Sequence, residues 1–266
     1  MKKAVVTAVL AGMISAVVFP WPARAEAEGE PVKVSLEALY AERYIWRGMP
    51  VNEEAVLQPS LTLSNGGFSL NFWGNVDLTD YGEEAGYGDE EGNATEIDYT
   101  GSYERNLGPV ILGVGFVNYT FPHVGLAPTT EVFASLGLDM PLSPSITCYV
   151  DEVAEGANYT SVDLSHSFDL FESGGVSMAA ELSAHAGYAN GKNVETYYDT
   201  LDHAAWHDWS AGVALPVSLG GGFSLTPAYQ YSSLWDEDIR DEVDDNRDMD
   251  PEAGVFMISL AWSGEL

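Results

Sequence analysis

Residues 68–77 read FSLNFWGNVD, and this stretch carries the pattern that decides the fold. Phe68, Leu70 and Phe72 alternate with the polar residues Ser69 and Asn71. Successive side chains of a β-strand point to opposite faces, so the alternation predicts a strand with one apolar and one polar face. The residues before it, SNGG at 64–67, are typical of a hairpin turn, because Gly and Asn tolerate a positive φ.

The same alternation recurs along the chain, while helical periodicity is not sustained anywhere in the sequence. Connections are short after the even-numbered segments and mostly long after the odd-numbered ones. This layout is typical of an outer-membrane barrel whose short turns face the periplasm, so we predict an all-β fold, a single antiparallel transmembrane β-barrel of about 12 strands. The predicted strands cover residues 32–46, 56–64, 67–78, 96–105, 109–120, 130–140, 145–151, 157–168, 175–188, 208–218, 222–233 and 254–262.

The charge of the chain follows the same division. The 266 residues include 41 Asp and Glu against 10 Lys and Arg, which gives a formal net charge of −31. Most of the acids fall in the long connections, which the barrel interpretation makes long acidic extracellular loops. Such a chain is a poor partner for nucleic acid, because phosphate binding needs a basic surface. The single cysteine excludes a disulfide framework and a cysteine-based zinc cluster.

The first 25 residues have the features of a secretory signal peptide. Lys2 and Lys3 form a basic start, an uncharged run follows from Ala4 to Phe19, and residues 23–25 read ARA. We expect cleavage after Ala25 and a barrel over residues 26–266 in the bacterial outer membrane. A membrane anchor is the alternative, although the apolar run is shorter than the roughly 20 residues that a helix needs to span a bilayer.

Several short stretches resemble one bacterial family. They are YIWRG at 44–48, PSL at 59–61, GF at 67–68, WGNVD at 73–77, YTFP at 119–122 and EVF at 131–133. The chain resembles the TorF-like porin family of bacterial outer-membrane β-barrel proteins, most sharply over residues 40–77. This resemblance implies a barrel in the outer membrane with an Arg-Gly pair after the first strand and a third strand rich in Trp, Asn and Asp.

The sequence offers little support for catalysis. Outer-membrane lipid hydrolases of two types place His and Ser two residues apart on one strand, so that the base and the nucleophile share a face. Here Ser165, His166 and Ser167 are direct neighbours and point to opposite faces. We therefore predict that the protein is not an enzyme and has no cofactor. His185 shares a polar face with Glu181, where it is expected as a hydrogen-bonded interior residue, with metal binding as the alternative.

The polar faces of the predicted strands give the candidate functional residues. They place carboxylates and a few bases inside the barrel, and the candidates for the lumen are Arg43, Arg47, Asp77, Asp98, Glu104 and Glu131. This lining predicts a porin for passive passage of small solutes with a weak cation preference. The alternatives are a non-conducting barrel that serves envelope structure or surface interaction through residues 79–95 and 234–253, a lipid-acting enzyme, and a soluble periplasmic barrel.

The acidic loops are candidates for cation binding. Residues 236–250 are rich in carboxylates but lack the Gly and the spacing of a calcium loop, so a solvated loop competes with loose Ca²⁺ or Mg²⁺ binding shared with lipopolysaccharide phosphates. We expect the outer membrane, lipopolysaccharide and small solutes as partners, and no nucleic acid. The pattern leaves the oligomeric state open.

Overall fold

The computed structural model describes residues 31–84, 91–198, 201–247 and 249–266. The predicted signal peptide, residues 1–25, lies outside these ranges, as do residues 85–90 of the second long loop. The strands are β1 (Lys33–Ala41), β2 (Tyr44–Trp46), β3 (Met49–Asn52), β4 (Val56–Asn65), β5 (Phe68–Asp77), β6 (Ala94–Leu107), β7 (Val110–Thr120), β8 (Thr129–Leu138), β9 (Ser145–Asp151), β10 (Asn158–Ser173), β11 (Val176–Ala189), β12 (Ala205–Ala214), β13 (Val217–Gly220), β14 (Phe223–Leu234) and β15 (Glu252–Glu265). The helices are α1 (Tyr81–Glu84), α2 (Gly191–Tyr198) and α3 (Glu237–Arg247).

Twelve strand positions form a closed antiparallel barrel, as the sequence predicts. Strands β1, β4 to β11, β14 and β15 each occupy one position, and β12 shares its position with β13 after a break at Pro216. The ring closes where β1 pairs with β15, with Lys33 opposite Glu265. Closure leaves no free edge in the wall, so every strand of the barrel wall has a hydrogen-bonding partner on both sides, which the interior of a bilayer requires.

The two faces of the barrel differ in polarity as the alternation predicts. Leu70, Val114 and Leu260 are each more than half exposed on the outer face, although they are apolar. Their neighbours along the strands point inward and are polar or small. An apolar outer belt around a polar interior is the arrangement of bacterial outer-membrane barrels. The protein is therefore an outer-membrane protein.

The two ends of the barrel are unequal. At one end, which we call the short-turn end, tight turns join the strands, and Gly66 and Gly67 have φ values of 56° and 86°. The other end, the long-loop end, carries the connections 42–55, 78–93, 121–128, 152–157, 190–204 and 235–251. Short turns face the periplasm in such barrels, so the acidic long-loop end faces outward.

The first predicted strand, residues 32–46, is wrong at its end. Strand β1 stops at Ala41, and strands β2 and β3 form a separate two-stranded hairpin. Arg47 and Gly48 make its turn with φ values of 45° and 77°, the backbone of a type I′ turn. Tyr44, Trp46 and Met49 are nearly inaccessible to solvent, so the hairpin folds into the barrel rather than extending the wall.

The helices were not predicted, because each is short and lies in a loop dominated by polar residues. Helix α3 buries Ile239 and Val243, which are four residues apart and so lie on one face. Helix α2 buries Val194, Tyr197 and Tyr198. None of the helices within the described ranges has the length and apolar character needed to cross a membrane.

Placing a charge on the outer face should destabilise the barrel in lipid. Val114 lies near the middle of β7 and is 56% exposed. We expect Val114→Arg to lower the free energy of unfolding by about 2–4 kcal/mol, the usual cost of Arg at the bilayer midplane. The measurement is urea unfolding of the refolded protein in lipid vesicles. Thr147→Arg on the inner face of β9 is the matched control, and equal losses in the two variants would contradict the assignment of faces.

Candidate functional site

The interior near the long-loop end is filled by loop segments. Trp46 of the hairpin packs against Tyr197 of α2, with ring centroids 4.9 Å apart. These side chains join buried residues of α3 and of the barrel wall in one apolar cluster. Gly48 lies against the wall so closely that an added Cβ would be 2.5 Å from the Cβ of Asp208. The tip of the hairpin therefore packs closely against the barrel wall.

Arg47, at the tip of the hairpin, makes a buried ion pair with the wall. Its Nη1 donates to Oε1 of Glu131 at 2.9 Å, and its Nη2 donates to Oε2 at 2.6 Å. The Tyr119 hydroxyl also donates to Oε2 of Glu131, at 2.8 Å. Arg47 is 5% exposed and Glu131 is 1% exposed. Two parallel charge-assisted hydrogen bonds of this kind fix both distance and orientation.

Three aromatic rings surround the same guanidinium group. The Cζ atom of Arg47 lies 4.0 Å from the ring centroid of Tyr159, 4.9 Å from that of Tyr149 and 4.7 Å from that of Trp46. Each distance is within the range of a cation–π attraction, which strengthens when water is excluded. The carboxylate of Glu131 and the rings of Tyr149 and Tyr159 belong to the barrel wall. We call these three residues and Tyr119 the guanidinium cage.

More carboxylates lie beside the cage on strands β5 and β6. The Tyr44 hydroxyl donates to Oε2 of Glu96 at 3.0 Å. Burial raises the pKa of the Tyr44 phenol well above its usual range, and the Glu96 carboxylate adds to the shift, so Tyr44 remains a donor. Asp98 is 1% exposed. Asp77 accepts hydrogen bonds from Asn75 at 2.9 Å and from Thr95 at 3.2 Å.

A hydrogen-bonded chain of titratable groups lines the opposite side of the cage. The Tyr159 hydroxyl donates to Oδ1 of Asp208 at 2.8 Å. His185 lies between two carboxylates, with Nδ1 2.6 Å from Oδ1 of Asp163 and Nε2 3.1 Å from Oδ2 of Asp208. His207 extends the chain, because its Nδ1 is 3.0 Å from Oδ1 of Asp208. His185 is thus a hydrogen-bonded interior residue.

The half of the interior nearer the short-turn end has a different lining. Small polar side chains dominate it, including Ser60, Thr62, Asn71, Ser102, Ser135 and Thr147. Three carboxylates, Glu37, Glu104 and Glu181, face inward among them and are less buried than those at the cage. Polar side chains therefore line this half, whereas the inserted hairpin and helices fill the other half.

The structure brings together two of the six lumen candidates, Arg47 and Glu131, in direct contact. Asp77 and Asp98 are buried on the neighbouring strands β5 and β6, and Glu104 faces inward nearer the short-turn end. Arg43 lies in the bend between β1 and β2 and is partly exposed.

Two charged residues of the predicted strands do not line the interior. Arg105 lies on the outward-facing side of β6 opposite Leu112. Asp139 lies in the turn after β8, because this strand ends at Leu138 and not at residue 140 as predicted. Sequence reasoning missed Tyr149 and Tyr159, two of the three tyrosines of the cage. Their inward alternation was a signal that could have found them.

One group of side chains at the long-loop end could hold a cation. His203, before β12, meets Asp236 and Asp238 at the start of α3, and their ligand atoms lie within 4.8 Å of one another. Imidazole and carboxylate together suit a divalent transition metal. Asp236 Oδ1 also accepts the backbone N–H of Ile239 at 3.3 Å, so this residue caps helix α3 as well.

Comparison with protein families gives one match over most of the chain. The profile described as a bacterial protein of unknown function, Gcw_chp, matches residues 24–239. The chain belongs to the Gcw_chp family. Comparison of this Gcw_chp protein with curated proteins gives no match.

Solved structures similar to the Gcw_chp protein include porins and channels. It shares 10% identity and a TM-score of 0.48 with the NanC porin, over 86% of this chain and 98% of that chain. An outer-membrane channel from Pseudomonas putida F1 gives 13% identity and a TM-score of 0.44, over 91% and 99%. OmpF of Salmonella typhi gives 6% and 0.40, over 88% and 97%.

Removing one partner of the buried ion pair should destabilise the Gcw_chp protein strongly. We expect Glu131→Gln to lower the free energy of unfolding by about 3–5 kcal/mol, because Arg47 then stays buried without a counter-charge. Replacing both partners with apolar residues, in Arg47→Met/Glu131→Leu, should restore most of the loss.

Urea unfolding in vesicles measures these changes. Glu37→Gln, another inward carboxylate, is the control for the loss of an interior charge. A Glu131→Gln variant as stable as Glu37→Gln would show that the ion pair does not hold the hairpin.

Proposed function

We propose that the protein is a narrow outer-membrane channel for passive passage of small solutes, with a weak cation preference. The observation that carries the proposal is the polar, carboxylate-rich interior of a closed barrel. Within the described ranges, buried carboxylates cluster around Arg47, and Glu37, Glu104 and Glu181 continue the negative lining toward the short-turn end. A pore lined by one sign of charge concentrates ions of the other sign.

The inserted hairpin limits how wide such a channel is. Strands β2 and β3 hold only three and four residues, and they form their own two-stranded sheet. Ion-pair, hydrogen-bond and packing contacts connect this hairpin to the wall. We expect a small conductance with a closed state and a rarely occupied, more open state, because only non-covalent contacts hold the hairpin against the wall.

The proposal also covers the resemblance to the TorF-like porins and the choice between a channel and an enzyme. We infer that this member of the Gcw_chp family is a TorF-like porin, on the basis of the Arg47-Gly48 turn and the polar third barrel strand. A channel role is favoured over a lipid-acting enzyme, because His166 lies on the outward-facing side of β10 and Ser165 and Ser167 on its inward-facing side.

A non-conducting barrel is the second candidate. The apolar cluster formed by the hairpin, α2, α3 and the wall favours it, because this cluster fills the long-loop half of the interior. In this case the acidic loops would act at the cell surface. The two candidates differ in a single measurable property, the ion current through the folded protein.

Planar-bilayer recording of the folded protein tests both candidates. We expect a cation-preferring current, and replacing Glu37, Glu104 and Glu181 together with Gln should lower the ratio of K⁺ to Cl⁻ permeability at least about twofold. The control replaces three exposed loop residues, Glu152, Glu155 and Glu237, with Gln and should change the ratio less.

Two outcomes would contradict the proposal. No current from protein that shows heat-modifiable gel mobility would favour the non-conducting barrel. A permeability ratio that is unchanged in the interior variant would reject these carboxylates as the source of cation preference.

A further inference from the structure

The guanidinium cage is built by the barrel wall alone, and Arg47 reaches it from the hairpin. We propose that the cage is a binding site for solutes that carry a guanidinium group, and that Arg47 occupies this site in the closed state in place of such a solute. The proposal rests on the channel function proposed above and names the class of solute that the channel favours.

The cage is ordered by contacts that do not involve Arg47. Glu131 is held by the hydroxyl of Tyr119, and Tyr159 is held by its hydrogen bond to Asp208. Tyr149 and Tyr159 are directly opposite each other on β9 and β10, with ring centroids 6.3 Å apart. The four cage residues come from the consecutive strands β7 to β10. A site ordered before its ligand arrives loses little entropy on binding.

The geometry selects a guanidinium over other groups. Glu131 accepts two parallel hydrogen bonds at 2.9 and 2.6 Å, which matches the planar fork of a guanidinium. The ring centroids of Tyr149 and Tyr159 lie 4.9 and 4.0 Å from Cζ of Arg47, within the range of a cation–π attraction. An ammonium ion presents a compact point charge without this fork, and an anion is repelled by Glu131.

Arg47 is an occupant that a solute can compete with. It sits in a left-handed conformation, with φ at 45°, which costs free energy for a residue other than glycine. Its tether to the hairpin gives it a high effective concentration at the cage. A free guanidinium solute therefore needs a high concentration to displace Arg47 in the wild-type protein, and a much lower one when Arg47 is removed.

The first test removes the occupant and supplies the group from solution. Refolded Arg47→Ala protein in detergent is titrated with methylguanidinium or methylammonium while its melting temperature is recorded. We expect methylguanidinium to stabilise this variant, with an affinity at least about tenfold above that for methylammonium. The additional change Glu131→Gln should abolish the difference between the two ions.

Two results of this test would overturn the proposal. One is a folded Arg47→Ala protein that responds equally to both ions, or to neither. The other concerns a variant that refolds poorly, for which we expect methylguanidinium, and not methylammonium, to raise the refolding yield. A refolding yield that methylguanidinium does not raise would contradict the cage.

The second test uses the wild-type protein in planar bilayers. L-arginine should change the K⁺ current at concentrations at least about tenfold below those at which L-lysine does. Equal effects of the two amino acids would reject the cage as a solute site even if Arg47→Ala binds methylguanidinium. A wild-type protein without current would reject the channel function, and the titration of Arg47→Ala would then decide the binding site separately.

Discussion

The bidentate ion pair between Arg47 and Glu131 is the contact on which the interior of this barrel depends. A guanidinium taken out of water needs a carboxylate at a fixed position, and Tyr119 provides that fixed position by its hydrogen bond to Glu131. Because Arg47 lies at the tip of the hairpin, the pair also determines where the hairpin can sit. The packing of Trp46 against helix α2 follows from that placement.

The ion pair divides the interior into two functional halves. Toward the long-loop end, apolar packing from the hairpin and two helices surrounds a charged centre. Toward the short-turn end, small polar side chains and carboxylates leave a hydrophilic lining. This combination of a polar lining and a loop segment inserted by non-covalent contacts is the basis of the proposed narrow channel with a closed state. In that proposal Arg47 closes the channel and carries the same charged group as the proposed solute.

The barrel itself could be predicted from the sequence, because alternation in a strand reports on which face is apolar. The same signal explains the error in the first strand. Tyr40 lies on the apolar outer face and Trp46 is buried in protein. Both surroundings are apolar, so Tyr40, Tyr44 and Trp46 follow one alternation that only Glu42 interrupts. Ile239 and Val243 escaped detection because two apolar residues among acids make a weak helical pattern. Arg105 shows that a charged residue does not always mark the inner face. It lies at the end of a strand, where the outer face meets the lipid headgroups.

The insertion of the hairpin is the central claim, and thiol labelling of Met49 tests it most directly. In a Cys148→Ser background, the Met49→Cys variant places a thiol where the native side chain is 3% exposed, and Val153→Cys places one where it is 66% exposed. A membrane-impermeant maleimide added to intact, folded barrels should label the Val153 position at least about a hundredfold faster, since opening of the hairpin would cost several kcal/mol. Equal labelling rates at the two positions would show that the hairpin lies outside the barrel and would contradict the account.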